Sequence, residues 1–411
     1  MLGSAWLFIT ILLVIIAVIL KQPSLLIVAA IFFLTSGVAR LWSRFALQRV
    51  DYSRKLSASR VFFGETVIFD ISVTNAKLLP LPWLHIEEEV PEELTFLKGK
   101  TQVSSKPTRA ILSNFLSIGW YHRIIRHYPV QCLRRGLFFF GPTEMNSGDP
   151  FGFFRVSKTF ENQDQLLVYP LIVSLEELGI PSRHPFGDLR VRRHLFEDPV
   201  QVMTTRDYVA GDPLKHIHWK TTARLQRLQT RVFEHTTTAD MALFLDTRTT
   251  ADTYFWNLLN PDYLETAVLA AAAIANHAIQ NDFKVGFYAN EYYYYSDRLM
   301  RLPPASHPDQ LKAILEALAQ VKGLPAMTME KLLFREVRNL PWETTIVLIT
   351  AVPVAELIAS LKYLQRLGRR VALIQIGSQA HSVKSDDLLT YHVSEEVYRK
   401  KLEVLTLKQD G

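Results

Sequence analysis

The run Met241-Ala242-Leu243-Phe244-Leu245-Asp246-Thr247-Arg248-Thr249-Thr250 decides how the second half of the chain is read. Its apolar part is too short for a helix and does not alternate, as expected of a strand covered on both faces. The sequence beyond it swings between helix and strand. Residues 263–280 place Leu264, Val268, Ala271, Ala275 and Ile279 on one helical stripe. Asp262-x-x-Glu265 resembles a capping box with Asp at the cap. Residues 285–289 read as a strand, with Asn290-Glu291 turning it into an edge strand over the tyrosines 292–295. Helices are expected over 310–321, 329–340 and 354–367, the last stopped by Gly368. Apolar strands are expected over 345–349 and 371–376. This alternation predicts a doubly wound α/β domain over residues 240–411.

Residues 56–170 read differently. Val67, Phe69, Ile71 and Val73 alternate with Ile68, Asp70, Ser72 and Thr74, the period of a half-buried strand ending near Asn75. Pro80, Pro82 and Pro91 exclude helix from the next stretch. Further strands are expected over 84–90, 110–120 and 137–140. Gly141-Pro142 and Ser147-Gly148-Asp149-Pro150 signal turns. The spacing predicts a small antiparallel β-sandwich-like domain.

The N-terminus is apolar. Residues 2–20 carry no charge, Lys21-Gln22-Pro23-Ser24 interrupts, and residues 25–39 are apolar again up to Arg40. Each run approaches the roughly 20 residues that cross ~30 Å of hydrocarbon as helix. A transmembrane helical hairpin over residues 1–45 is therefore expected. A cleaved signal peptide is the alternative for the first run, but no base precedes it and no small-residue cleavage site follows. Of 46 Lys+Arg and 40 Asp+Glu, residues 1–60 hold seven bases and one acid, so the whole net charge of +6 sits there. One base in the loop against six over 40–60 places the bulk of the chain in the cytoplasm, behind a two-span membrane anchor, with the bases against anionic lipid. A basic patch on a folded domain is what nucleic-acid binding would need, and the remaining sequence is charge-balanced. Cys132 is alone, which excludes an intrachain disulfide. There is no Walker A motif and no Gly-rich dinucleotide fingerprint, so no nucleotide or other cofactor is expected.

Between the two soluble regions lies a linking segment, residues 181–235. It contains Arg206-Asp207-Tyr208-Val209-Ala210-Gly211-Asp212-Pro213-Leu214-Lys215-His216-Ile217-His218-Trp219-Lys220-Thr221-Thr222-Ala223-Arg224. Asp212-Pro213 reads as a helix start, Asp at the cap and Pro in the first turn. Ile217 would then face inward. Residues 229–234, with Arg231, alternate and should join a sheet. The polar groups and the single large aromatic suggest a packed junction between domains.

These residues resemble the bacterial Domain of Unknown Function 58 family. Its pattern is matched by Arg206, Tyr208, Gly211, Asp212, Ile217, Trp219, Ala223, Arg224 and Arg231, with Lys215 where an Arg is expected. Phe63-Gly64-Glu65-x-Val67, Asn75, Arg135-Gly136 and Asp149-Pro150-Phe151-Gly152 also resemble the family's β region. The resemblance implies two membrane helices, a β domain, a C-terminal region similar to von Willebrand factor A domains, and association with MoxR-type AAA+ ATPases. Such A domains often hold Mg²⁺ through Asp-x-Ser-x-Ser plus a later Thr and Asp. Here Asp246 and Thr250 can mimic the first and last positions, while Arg248 replaces the middle oxygen ligand and no Asp follows the later strand. No metal is expected, and Arg248 is expected to neutralise Asp246 directly or through water. His216 and His218 lack a third ligand fixed by the sequence. The leading expectation is a non-enzymatic, membrane-tethered adaptor for a protein partner. The alternative is a membrane-bound hydrolase using the Asp212/His218 region.

Overall fold

The structure, a computed structural model, describes residues 22–181, 202–209, 217–233, 240–250, 259–377 and 388–407, with residues 9, 11–12, 14–16 and 18–20. It divides into two compact units, one built on the chain up to Leu171 and the other on most of the chain between Ile172 and Glu403.

The first unit opens with helix α1 (Pro23–Ala46), whose proline sits in the first turn, where a missing N–H costs nothing. Its 24 residues reach about 36 Å at 1.5 Å each, more than a ~30 Å hydrocarbon layer. Leu26, Ile27, Ile31, Phe33, Leu34 and Val38 are exposed along it. Ala29, Ser36, Ala39, Ser43 and Ala46 are buried, small side chains that permit close packing. An apolar helix this near the N-terminus is common to membrane anchors and signal sequences.

Strand β1 (Val50–Leu56) follows within a few residues. It joins a sheet ordered β1, β3 (Thr66–Asn75), β8 (Arg123–Gln131) and β5 (Thr95–Phe96). A second sheet runs β11 (Arg155–Phe160), β10 (Thr143–Gly148), β4 (Leu81–Pro91), β7 (Arg109–Ile118) and β6 (Thr101–Val103). Both sheets are antiparallel. Their inward residues form one core: Val67, Phe69 and Ile71 of β3 with Leu84 and Ile86 of β4 and Leu112 of β7. A third small sheet pairs β12 (Asp164–Val168) with β9 (Gly136–Phe140) and, in parallel, with β2 (Arg60–Val61). Pro82 and Pro91 do exclude helix, but they lie inside β4: the pairing with β7 shifts register beside Pro82, and Pro91 ends the strand.

This core encloses charge. The Glu88 side chain is 0% exposed and accepts from Arg54 Nη1 at 2.5 Å, from Thr143 Oγ1 at 2.5 Å and from the Tyr52 hydroxyl. Arg54 Nε also donates to Asp164 at 2.5 Å. Burial pushes the Glu88 carboxyl up, against the pull of Arg54. Gly141 sits here at φ +96°, and a Cβ on it would come 2.2 Å from Arg54 Nη1.

The second unit contains a hairpin of β13 (Val202–Asp207) and β14 (Gln229–Phe233), with helix α2 (Trp219–Leu225) between its strands. Its main sheet is ordered β17 (Leu299–Ala305), β16 (Lys284–Tyr292), β15 (Asp240–Leu245), β18 (Thr345–Thr350), β19 (Val371–Ile376) and β20 (Leu389–Val393). All neighbours are parallel except the β17 edge. Helix α3 (Pro261–Gln280) packs across β15, β16, β18 and β19, its buried alanines allowing close approach. The remaining helices are α4 (Gln310–Gln320), α5 (Met329–Val337), α6 (Ala355–Arg366) and α7 (Glu396–Leu407). Met329, Leu332 and Leu333 of α5 and Leu357 and Leu361 of α6 cluster with Ala242, Phe244, Ile346, Leu348 and Leu373. Because successive strand residues face opposite ways, helices cover both faces.

Three expectations are corrected. The cap of α3 is Asn260, not Asp262: its Oδ1 accepts from Asp262 N at 3.1 Å and Tyr263 N at 3.4 Å. Asn290 and Glu291 do not turn; they are buried members of β16. The edge strand beside β16 is therefore β17 rather than the tyrosines of 292–295.

Candidate functional site

The first strand of the main sheet, β15, has β16 on one side and β18 on the other, so the chain reverses its winding there. In open α/β sheets the crevice at such a switch point, beyond the carboxyl ends of the strands, is the usual ligand position. Asp246 follows β15 into this place and its side chain is 0% exposed.

Every neighbouring element supplies it a donor. Arg248 grips both carboxylate oxygens, Nε to Oδ1 at 3.3 Å and Nη2 to Oδ2 at 3.2 Å, and its backbone N–H adds a third contact at 3.3 Å. Asn290 Nδ2 of β16 donates to Oδ1 at 2.9 Å and Thr350 Oγ1 of β18 donates to Oδ2 at 3.0 Å. Asn290 is itself held, accepting from Thr247 N at 2.9 Å and Thr247 Oγ1 at 3.0 Å and donating to Met327 O at 3.2 Å. Glu330 of α5 approaches Arg248 Nη2 from the far side at 3.6 Å. Burial pushes the Asp246 carboxyl up, while the facing guanidinium pulls it back. Burial also works against the Arg248 charge, but Asp246 and Glu330 hold it above its ordinary value.

A carboxylate offers about four lone-pair positions. Five donors already surround Asp246. The donor set does not fit a hard divalent ion: no group of three His, Cys, Asp or Glu comes together among the described residues, and the nearest cation is the chain's own arginine. Thr350 rather than Thr250 supplies the hydroxyl on Asp246, so the expected ligand mimicry of Thr250 is not what is found. Asn290 and Glu330 were missed by sequence reasoning. The available signal was a polar pair closing an otherwise apolar parallel strand, which marks the strand's carboxyl end.

The linking motif forms a second feature. Gly211, Asp212, Lys215 and His216 lie outside the described residues, and so does the helix start expected at Asp212-Pro213. The described helix α2 instead begins at Trp219, capped by His218, whose Nδ1 accepts from Thr221 N at 3.1 Å. Ile217 is buried as expected, but through a bridge to Thr230 rather than on a helix. Tyr208 and Arg206 sit at the end of the β13 and β14 pairing, where Tyr208 N donates to Leu228 O at 2.9 Å and Arg206 faces Thr230 in register. Arg231 occupies β14, opposite Thr205. Trp219 is not packed: it is 67% exposed, beside exposed Ala223, Arg224 and Leu225, with Val209 and Leu228 also exposed. An exposed tryptophan among apolar and arginine side chains has the composition of a contact surface. The groove of about 380 Å³ between residues 172–176 and Ala273, Asn276 and His277 of α3 involves neither feature.

Residues 204–378 match a family model described as "Protein of unknown function DUF58". A relative, "Uncharacterized protein YeaD" of Bacillus subtilis (strain 168), is 24% identical over 255 residues, which is 60% of this chain. The match spans 58% of that relative's length. Among solved structures, the CARDB domain of the PF1109 protein of Pyrococcus furiosus matches 29% of this chain and 91% of its own, with 8% identity and a TM-score of 0.20. A cohesin module from Clostridium perfringens family 33 glycoside hydrolase matches 29% of this chain and 96% of its own, with 14% identity and a TM-score of 0.21.

Proposed function

We propose that this chain, which over residues 204–378 belongs to the DUF58 family, is a non-enzymatic, membrane-tethered adaptor. It is anchored by two spans, α1 and the apolar run before it, with both soluble units in the cytoplasm. The second unit acts as a von Willebrand factor A-like domain whose metal position has been replaced. Asp246 stands after the first strand, where such a domain places its ion, and Arg248 occupies the carboxylate instead. An arginine stays charged at any accessible pH, so this replacement is permanent rather than switched. Docking therefore relies on side-chain surface and not on a bridging ion.

The observation that carries the reading is the 67% exposure of Trp219 within the family motif, where Val209, Arg224 and Leu225 are exposed too. A structural tryptophan would be buried; one left in water fits a partner's pocket. His218 is engaged as a cap, which favours this over hydrolysis. The partner is a cytosolic protein, a MoxR-type AAA+ ATPase on the family resemblance. A photo-crosslinking residue at Trp219 of the full chain, in native membranes, tests this. The expected product joins the chain to an AAA+ ATPase. Crosslinks confined to lipid, or a periplasmic signal from a reporter fused after Gly411, overturn the reading.

A further inference from the structure

The first unit presents apolar side chains at one end. Three loops meet there, fixed by strand register: residues 76–80 between β3 and β4, 119–122 between β7 and β8, and 149–154 between β10 and β11. They share an end because Val50 pairs with Asn75, Leu81 with Ile118, Thr74 with Arg123, and Gly148 with Arg155. Their tips carry Leu78 at 73% exposure, Trp120 at 64%, Tyr121 at 65% and Phe151 at 58%. The Phe151 and Phe153 rings stack at 5.5 Å.

These tips are held rather than loose. The buried Asp149 carboxylate accepts from Phe151 N at 2.9 Å, Phe153 N at 3.2 Å and Phe154 N at 2.6 Å. Its backbone carbonyl accepts from Trp83 Nε1 at 2.9 Å. Asn75 Nδ2 bridges the other two loops, donating to Leu79 O and Gly119 O, each at 2.9 Å. Helix α1 joins the unit at this same end, where it also packs on β10 and β11: it reaches β1 through residues 47–49, and Ala76 N donates to Arg49 O at 3.0 Å. Exposed Arg44 and Arg49 lie at that junction, with exposed Arg123 and Arg155 opening β8 and β11.

We infer that the 76–80, 119–122 and 149–154 loops form a bilayer-contacting face, seating the β unit on the membrane into which α1 inserts. The inference rests on the anchor reading of α1 given above. Amphipathic aromatic rings belong at the headgroup level, where one end is apolar and the other wet. Arginines beside them meet anionic headgroups. The Asp149-Pro150-Phe151-Gly152 run thereby gains a role: a rigid loop that presents phenylalanine to lipid.

Site-directed spin labelling of the full chain in anionic nanodiscs tests this. Nitroxides are placed singly at Trp120→Cys, Phe151→Cys, Ile31→Cys and Val103→Cys. Val103 is 80% exposed and pairs with Ala110 at the opposite end of the sandwich. Cys132 is buried and does not compete for label. Labels at 120 and 151 should gain oxygen accessibility and lose aqueous nickel accessibility several-fold relative to 103. Should those two labels be as aqueous as 103 while the one at 31 is in lipid, the face belongs to a protein partner and the inference fails with the anchor intact. An aqueous label at 31 removes the anchor reading, and the inference with it. Intrinsic fluorescence, comparing lipid quenching of the native chain with Trp120→Phe, gives the same decision without labels.

Discussion

Arg248→Met leaves Asp246 buried without its counter-ion. The side chains are 19% and 0% exposed, and the substitution removes the 3.3 and 3.2 Å contacts while the Asn290 and Thr350 donors remain. Breaking a buried pair by deleting one partner costs about 3–5 kcal/mol. Arg248 keeps some solvent contact, so the low end, about 3 kcal/mol, applies. For a unit of this size that lowers Tm by about 6–12 °C. The effect has a pH signature. Burial already holds the Asp246 carboxyl above its ordinary value, with Arg248 pulling it back. Without the arginine it rises further. The folded state then keeps a proton that the unfolded state releases, so stability is lost as pH rises, and the deficit is larger at about pH 8 than at about pH 5. Adding Asp246→Asn removes the orphaned charge and should recover more than half of the loss. Thermal unfolding of the full chain in nanodiscs, wild type, Arg248→Met and the double variant at both pH values, reads all of this. A single variant within about 0.5 kcal/mol of wild type, with no pH dependence, refutes the reasoning.

Gly141→Ala should destabilise the first unit by at least about 1 kcal/mol, because its positive φ and the Arg54 guanidinium both oppose a Cβ, and Tm reports it. Burial lowers Lys77 from its ordinary 10.5 to about 8. The unfolded chain thus binds more protons between those values, and stability should rise with pH across that window. Lys77→Met should flatten the rise and increase Tm near neutrality. Burial pushes the Cys132 thiol up to about 12, so a chromogenic disulfide reagent near pH 8 should react only after denaturant is added.

What the sequence made legible follows from chemistry that repeats. Unbroken apolar runs such as Ile346–Ile349 have no soluble use except as strands covered twice, and the helices between them carry clear stripes. The edge strand β17 carries Pro303 and Pro304, which argue against a strand; an edge strand tolerates them, having no partner for one row of N–H groups. Strand β8 was hidden by Arg123 and His127, whose side of the sheet faces water, and by Arg126, a charged residue on the side that carries buried Tyr128 and Val130. In the site, Arg248 beside Asp246 was readable because only Thr247 stands between them, so the fold cannot part them. Asn290 and Thr350 come from strands 44 and 104 residues away, and only the sheet order brings them to one carboxylate. Trp219 misled by type: large aromatics are usually buried, and this one is not.

The adaptor account is tested most directly by titrating the full chain, in nanodiscs, with a purified MoxR-type ATPase from the same cell, comparing wild type with Trp219→Ala. The account predicts saturable binding that weakens by about 2 kcal/mol, roughly thirtyfold, in the variant while its Tm is unchanged. Equal affinity of both proteins, or no saturable binding by wild type, contradicts it.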